Sequence, residues 1–169
     1  FRSKDEKVDR ETMREIVDIA RWAPSWVNYQ IARYTLVDDE EIIKEIAEHG
    51  VNGFVYNIDT LRTAKGVAVL SFVKGKSGTY DKEYITSKGN SWEVFDAGIA
   101  CQTFCLSAHA KGVGTCIMGV IDDKSIAKIV NLPEDETVAA LIVYGYEDGE
   151  HAAPNKRKDV DEIMRFVDR

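Results

Sequence analysis

Residues 91–112 read SWEVFDAGIACQTFCLSAHAKG. Asn90 or Ser91 opens a helix here, which runs to about Lys111 and closes at Gly112. Positions 97–110 are small and apolar nearly all round, so the helix has no broad polar face to give to water. It is therefore expected at the centre of the molecule, buried on most sides. In a chain of 169 residues such burial asks for more cover than one subunit offers, and it predicts a homodimer with a large apolar interface.

Outward from this helix, strands and helices alternate. Upstream, 66–73 is an unbroken β-branched and apolar run and reads as a buried strand. Downstream, 112–119 is a glycine-spaced turn and strand, and 138–146 is a second buried strand. Between them Asp122 or Asp123 caps a helix that ends near Pro133. Near the start, Asp9 caps a helix with Glu11 in its first turn, and Val8 staples to Met13. Met13, Ile16, Val17 and Ala20 make one apolar stripe, and Pro24 stops that helix. A short strand at 34–37 leads to a helix at 38–49, with Ile42, Ile43 and Ile46 inward and Gly50 past its end. Residues 74–89 form a polar, glycine-containing excursion, 149–155 a loop, and 160–167 a last short helix. This order predicts one α+β domain over 1–169 with helices layered on a sheet.

Composition narrows the function. The apolar fraction is 44%, the charged fraction 30% and the net charge −7, which suits a globule and disfavours nucleic acid as a partner. No apolar run is long enough to span a bilayer. Cys101, Cys105 and Cys116 are an odd count without a disulfide-scaffold spacing, so a reducing, cytoplasmic location is expected. His49, His109 and His151 are scattered, and no nucleophile elbow, P-loop or glycine-rich dinucleotide motif occurs. Cys101, Cys105 and His109 stand at i, i+4, i+8 on the central helix and could offer three ligands to a metal. The plainer reading, thiols filling small gaps in a buried helix with His109 near its wet end, is preferred because no fourth ligand is suitably spaced. No metal is expected.

Residues 23–30 read APSWVNYQ. A hydroxyl, two carboxamides and two aromatics follow a helix stop within a few positions. Amides can meet the edge of a flat polar ring and aromatics can cover its face. The same Ser25 and Asn28 could equally satisfy turn backbone after a helix.

The pattern Ala23-Pro24-Ser25, then Asn28, then Gln30, resembles the nitroreductase family of FMN-dependent oxidoreductases. The resemblance continues in family order. Asp96-Ala97-Gly98-Ile99-Ala100, Leu106-Ser107-Ala108 and Lys111-Gly112-Val113-Gly114-Thr115-Cys116 are similar to the long central helix and the turn after it. Asn131-Leu132-Pro133-Glu134 and Leu141-Ile142-Val143-Tyr144-Gly145-Tyr146 are similar to the closing strand, and Pro154-Asn155-Lys156-Arg157-Lys158 to the C-terminal end.

The resemblance implies a three-layer α/β/α fold with a central mixed sheet, working as a homodimer. It implies FMN as cofactor, NADH or NADPH as co-substrate, and electron transfer through flavin N5 to a small oxidised substrate such as a nitroaromatic or quinone, in ping-pong order. Pro24, Ser25, Trp26, Asn28 and Gln30 would lie against the flavin, some of them on the partner's. Asn57 would reach the pyrimidine edge, while Thr60 stands where some members carry a cation. Ile117, Met118 and Gly119 would present backbone N–H groups to the ring, and Lys156 and Arg157 would hold the phosphate. No side-chain acid or base is implied. Trp26 would sit beside the ring or the substrate. Read from the residues themselves, the 74–89 excursion with Tyr80 and Tyr84 could be a lid that lines the substrate pocket, or equally a solvated excursion with its aromatics packed on the domain edge.

Two departures stand out. Gln30-Ile31-Ala32 replaces the family's frequent Gln-Pro-Trp, which would enlarge the pocket or change which substrate stacks there. The family's Arg-x-Ser-x-Arg phosphate clamp is expected just before Phe1, and Arg2 and Ser3 are not its replacement. A non-enzymatic flavin carrier or sensor, reductive dehalogenation and flavin fragmentation are the alternative functions on this scaffold.

Overall fold

The computed structural model describes residues 1–149 and 153–167, so His151 and part of the loop at 149–155 lie outside the described residues. In chain order the helices are α1 Arg10–Ala20, α2 Glu40–His49, α3 Val55–Thr63, α4 Ser91–Ala110, α5 Asp123–Ile129 and α6 Val160–Ile163. The strands are β1 Ala32–Val37, β2 Gly66–Val73, β3 Thr79–Tyr80, β4 Glu83–Tyr84, β5 Gly114–Met118 and β6 Glu136–Gly145. The caps fall where short acidic side chains precede apolar stripes: Asp9 accepts from the Thr12 N–H, Asp39 from Glu41 and Ile42, and Asp122 from Ser125.

Four strands form the main sheet in the order β1-β2-β6-β5. Alternation along β2 and β6 sorts the core into two layers. Val67, Val69, Leu141 and Val143 face α2, α3 and α5, packing with Ile43, Ile46, Leu61 and Ile126. Ala68, Leu70, Ile142 and Tyr144 face α1 and α4, packing with Met13, Ile16, Phe104 and Ala108. The expected three layers are present.

The sheet is antiparallel throughout, where a mixed sheet was expected. Val37 pairs with Val67 and Ala32 with Phe72, so β2 enters at the end of the sheet that β1 leaves. The helix pair α2–α3 explains this: it runs out and back, whereas a single crossover helix would deliver the chain to the far end. An unbroken apolar strand reports cover on both faces, and cover does not fix direction.

Helix α4 differs in one respect from its expectation. Ala97, Ala100, Cys101, Phe104 and Ala108 are buried, but Val94, Phe95 and Leu106 are 60%, 57% and 60% exposed. With Gly98 and Gln102 they form an open stripe along the helix. The tail 153–167 has no buried residue, and Ile163, Phe166 and Val167 are 72%, 82% and 89% exposed. Among the described residues no helix is long and apolar enough to cross a membrane.

Candidate functional site

Among the described residues, the segment after α1 gathers the most non-glycine backbone in the left-handed region. Val27, Asn28 and Gln30 have φ of 46°, 55° and 50°. A β-branched residue in the left-handed region is rare, and such backbone costs about 1–3 kcal/mol per residue, so surrounding contacts must hold it. They do. The Trp26 N–H donates to Asp96 Oδ2 at 2.9 Å, and its indole Nε1 donates to the Thr79 carbonyl at 3.0 Å. The Gln30 N–H donates to Ser25 Oγ at 2.8 Å. Trp26 also packs edge-on against Trp92, 5.1 Å between centroids. The carboxamides of Asn28 and Gln30 are left facing outward. Beside them a cleft of about 310 Å³ opens between α1 and α4, bordered by Pro24, Ser25, Gln30, Tyr34 and Asp96. Tyr34 donates to the Ala100 carbonyl and stacks on Phe104, and burial holds its phenol well above the ordinary range.

A second group lies at the end of β5. Ile117 is half exposed, Met118 is buried in the α2–α3–α5 layer, and Gly119 is open to solvent. Asn57 sits on α3, and its amide nitrogen donates to the Val120 carbonyl at 3.0 Å. Asn52 does the same to Ile121, and the Asp122 N–H donates to the Gly50 carbonyl. Asn57, expected at a ring edge, thus braces the backbone that follows Gly119. Thr60 turns its hydroxyl onto the Tyr56 carbonyl of its own helix.

These two groups share an end of the sheet but not an edge. β5 runs toward the end from which β1 starts, while β1 and β5 are the two outer strands. Three strand spacings, about 14 Å, separate those edges. The expected phosphate-holding pair joins neither group. Lys156 and Arg157 are exposed in the tail, where Arg157 donates to the nearby Asn155 carbonyl. Arg2 and Ser3 lie at the opposite end of the sheet, with Ser3 bridged to Glu147.

The excursion at 74–89 has a pinned base and an open tip. Ser77 and Thr79 are buried, and Ser77 Oγ donates to Asp96 Oδ2 at 2.5 Å. Glu93 Oε1 accepts from the Gly75 N–H at 2.5 Å and from the Tyr84 hydroxyl at 3.0 Å. The tip is the β3–β4 hairpin, turned by Asp81 and Lys82 at φ of 48° and 69°. Of the two tyrosines expected over a substrate, Tyr80 is free at the tip. Tyr84 is tied to Glu93, and burial, then that contact, raises its pKa. Asp96 and Glu93 were not singled out as site residues. Their signal is two carboxylates spaced i, i+3, the acidic residues of a helix whose other side chains are apolar or uncharged polar apart from His109.

The metal alternative finds no geometry. Cys101 is buried, and its contact with the Cys105 thiol, then burial, pushes its pKa up, while His109 is exposed. Among the described residues no three His, Cys, Asp or Glu side chains converge.

Comparison with known proteins gives concordant findings. A model of the nitroreductase family matches residues 3–146. A Bacillus subtilis relative, MhqN, named as an NAD(P)H nitroreductase, is 24% identical over 95% of this chain and 89% of its own. The crystal structure of a nitroreductase family protein from Streptococcus pneumoniae superposes with a TM-score of 0.83 at 20% identity, covering 98% of this chain and 94% of the other. An FMN-dependent nitroreductase from Clostridium difficile superposes with a TM-score of 0.76 at 26% identity, covering 98% and 91%.

Proposed function

Because the chain belongs to the nitroreductase family, we propose that two copies of it hold FMN between them and pass electrons from NADH or NADPH to a small oxidised substrate, a nitroaromatic, a quinone or a compound of similar size. The observation that carries this reading is the division of the site. The strained 24–30 loop and the 117–120 turn occupy opposite edges of one sheet end, and the cationic tail meets neither. A second copy brings the missing half to each, and the open apolar stripe of α4 is the surface on which it would seat.

The residues fit the group. Asn28 and Gln30 offer carboxamide donors and acceptors to a polar ring edge, and Lys156 and Arg157 offer cations to a phosphate. When bound, FMN would supply the two-electron chemistry of the reaction. The protein's part is orientation and electrostatics. Ser25 fixes the Gln30 backbone, Asp96 fixes Trp26, and Asn57 fixes the turn whose backbone N–H groups favour negative charge beside them. The scattered histidines match a reaction that needs no side-chain base. Three free cysteines suit a reducing cytoplasm.

The test is the visible spectrum of the purified protein before and after anaerobic NADH or NADPH. Flavin bands that bleach are expected. Bands that persist with both nucleotides would favour a carrier or sensor, and a colourless protein that FMN cannot reconstitute would overturn the reading. The tail is tested separately. Arg157→Ala should raise the FMN dissociation constant about ten- to a hundredfold, the worth of a charge-assisted contact, read from the fluorescence of released flavin. An unchanged constant would remove Arg157 from the site.

A further inference from the structure

We propose that Asp96 is a positioning residue: one of its carboxyl oxygens ties the substrate-side excursion to the cofactor-side loop, and so sets how well the oxidised substrate fits. The proposal rests on the redox reading above. Its basis is one atom with two partners from different segments. Asp96 Oδ2 accepts the Ser77 hydroxyl at 2.5 Å and the Trp26 N–H at 2.9 Å. Asp96 is 3% exposed and Ser77 0%, so water does not compete for either contact. A second tie runs in parallel, from the Trp26 indole to the Thr79 carbonyl at 3.0 Å. Trp26 is therefore not a free wall of the pocket. It is the joint between the strained loop that presents Asn28 and Gln30 and the hairpin that carries Tyr80.

The geometry separates two properties. The base of the excursion is held by Asp96 and Glu93, while Tyr80 at the tip is exposed and rides on that base. Loosening the base lowers the fraction of molecules whose hairpin stands correctly over the substrate, and apparent affinity falls in proportion. The chemical step, once substrate is seated, is unaffected. A loosened joint thus moves KM more than kcat.

Three variants test this. Ser77→Ala removes the excursion's hydroxyl and leaves the Trp26 contact. Asp96→Ala removes both contacts, and Asp96→Asn keeps one acceptor oxygen at the joint. Two readouts are used: steady-state reduction of nitrobenzene with NADH, and the rate of tryptic cleavage between Lys76 and the buried Ser77, which needs no cofactor. Loss of one buried hydrogen bond shifts the balance of pinned and loosened molecules about tenfold, so in Ser77→Ala the cleavage rate and KM should rise by factors whose product is about ten, about threefold each where the two forms are evenly populated, with kcat within about twofold and full FMN content. Asp96→Asn should stay within about 1.5-fold of wild type in both readouts, because its amide oxygen can accept both donors. Ser77→Ala with unchanged cleavage and unchanged KM overturns the proposal. So does cleavage about threefold faster with unchanged KM, which would make the joint a structural tie only. A wild type that binds no FMN overturns the redox reading instead, and the cleavage comparison then still tests the joint.

Discussion

Leu106→Glu is expected to yield a monomer that no longer retains FMN. Leu106 is 60% exposed on α4, in line with Gly98 and Gln102 and with the half-exposed Phe95 one turn further on. In an isolated protomer a glutamate there would face water, and such surface changes stay within about 0.5 kcal/mol. In a dimer seated on this stripe the same carboxylate would be desolvated without a partner. That costs roughly 3 kcal/mol or more, over a hundredfold in the dimer dissociation constant. Because each flavin site would draw on both copies, cofactor should leave with the partner. Sedimentation read at both protein and flavin wavelengths checks the two effects together. A stable FMN-loaded dimer would show that the stripe faces water and that the second copy seats elsewhere. A monomer that keeps FMN would show that one chain completes the site. The thermal midpoint of the monomer, compared with wild type at equal dilution, separates lost assembly from lost folding.

What the sequence could foretell follows from which signals are local. Caps are local: Asp9 reads directly from the sequence and Asp122 to within a residue, and the helix expected from 38 starts at Glu40 behind its Asp39 cap. Burial of β2 and β6 was legible because apolar strand content records cover on both faces. Strand direction was not, because it depends on the α2–α3 pair returning the chain to the end it left. Helix α3 itself escaped notice: Phe54 at its N-cap gives no side-chain bond, and VYNIDTLRT mixes Asn57, Asp59 and Thr60 into what would be its stripe. At the site, residue types were legible and their commitments were not. Pro24, Ser25, Asn28 and Gln30 do gather on one loop, and Ser25 serves that loop's own backbone. Trp26 and Asn57 carry groups suited to a flat ring, yet within the protomer both are spent on neighbouring segments. Those partners, Thr79 and Val120, lie 53 and 63 residues away in sequence, beyond the reach of spacing arguments.

Gly66→Ala should cost about 3 kcal/mol, and for a chain of this size that lowers the melting temperature by roughly 6–12 °C. Gly66 opens β2 directly across from Tyr144 of β6. A Cβ there would lie 2.1 Å from Tyr144 Cε2 and 2.3 Å from Cζ, far inside contact distance. The ring has little room to retreat, since Tyr144 is 2% exposed in the layer under α1 and α4, where burial pushes its phenol up to about 12. Either the ring leaves its rotamer or the strand pair opens at its end. The clash predicts its own remedy. Tyr144→Leu removes the ring, so adding Gly66→Ala to it should cost well under half of what Gly66→Ala costs alone, a coupling that additive effects cannot produce. The location makes the variant a clean test of stability. Gly66 stands at the end of the sheet opposite the 24–30 loop, because Val67 pairs with Val37 while Phe72 pairs with Ala32. The folded fraction of Gly66→Ala should therefore bind FMN as tightly as wild type while unfolding earlier. A melting temperature within about 1 °C of wild type would mean that the β2–β6 pair can part at this end at almost no cost. Weakened FMN binding with normal stability would mean that the two ends of the sheet are coupled, and that the packing of Tyr144 reaches the site through the strands themselves.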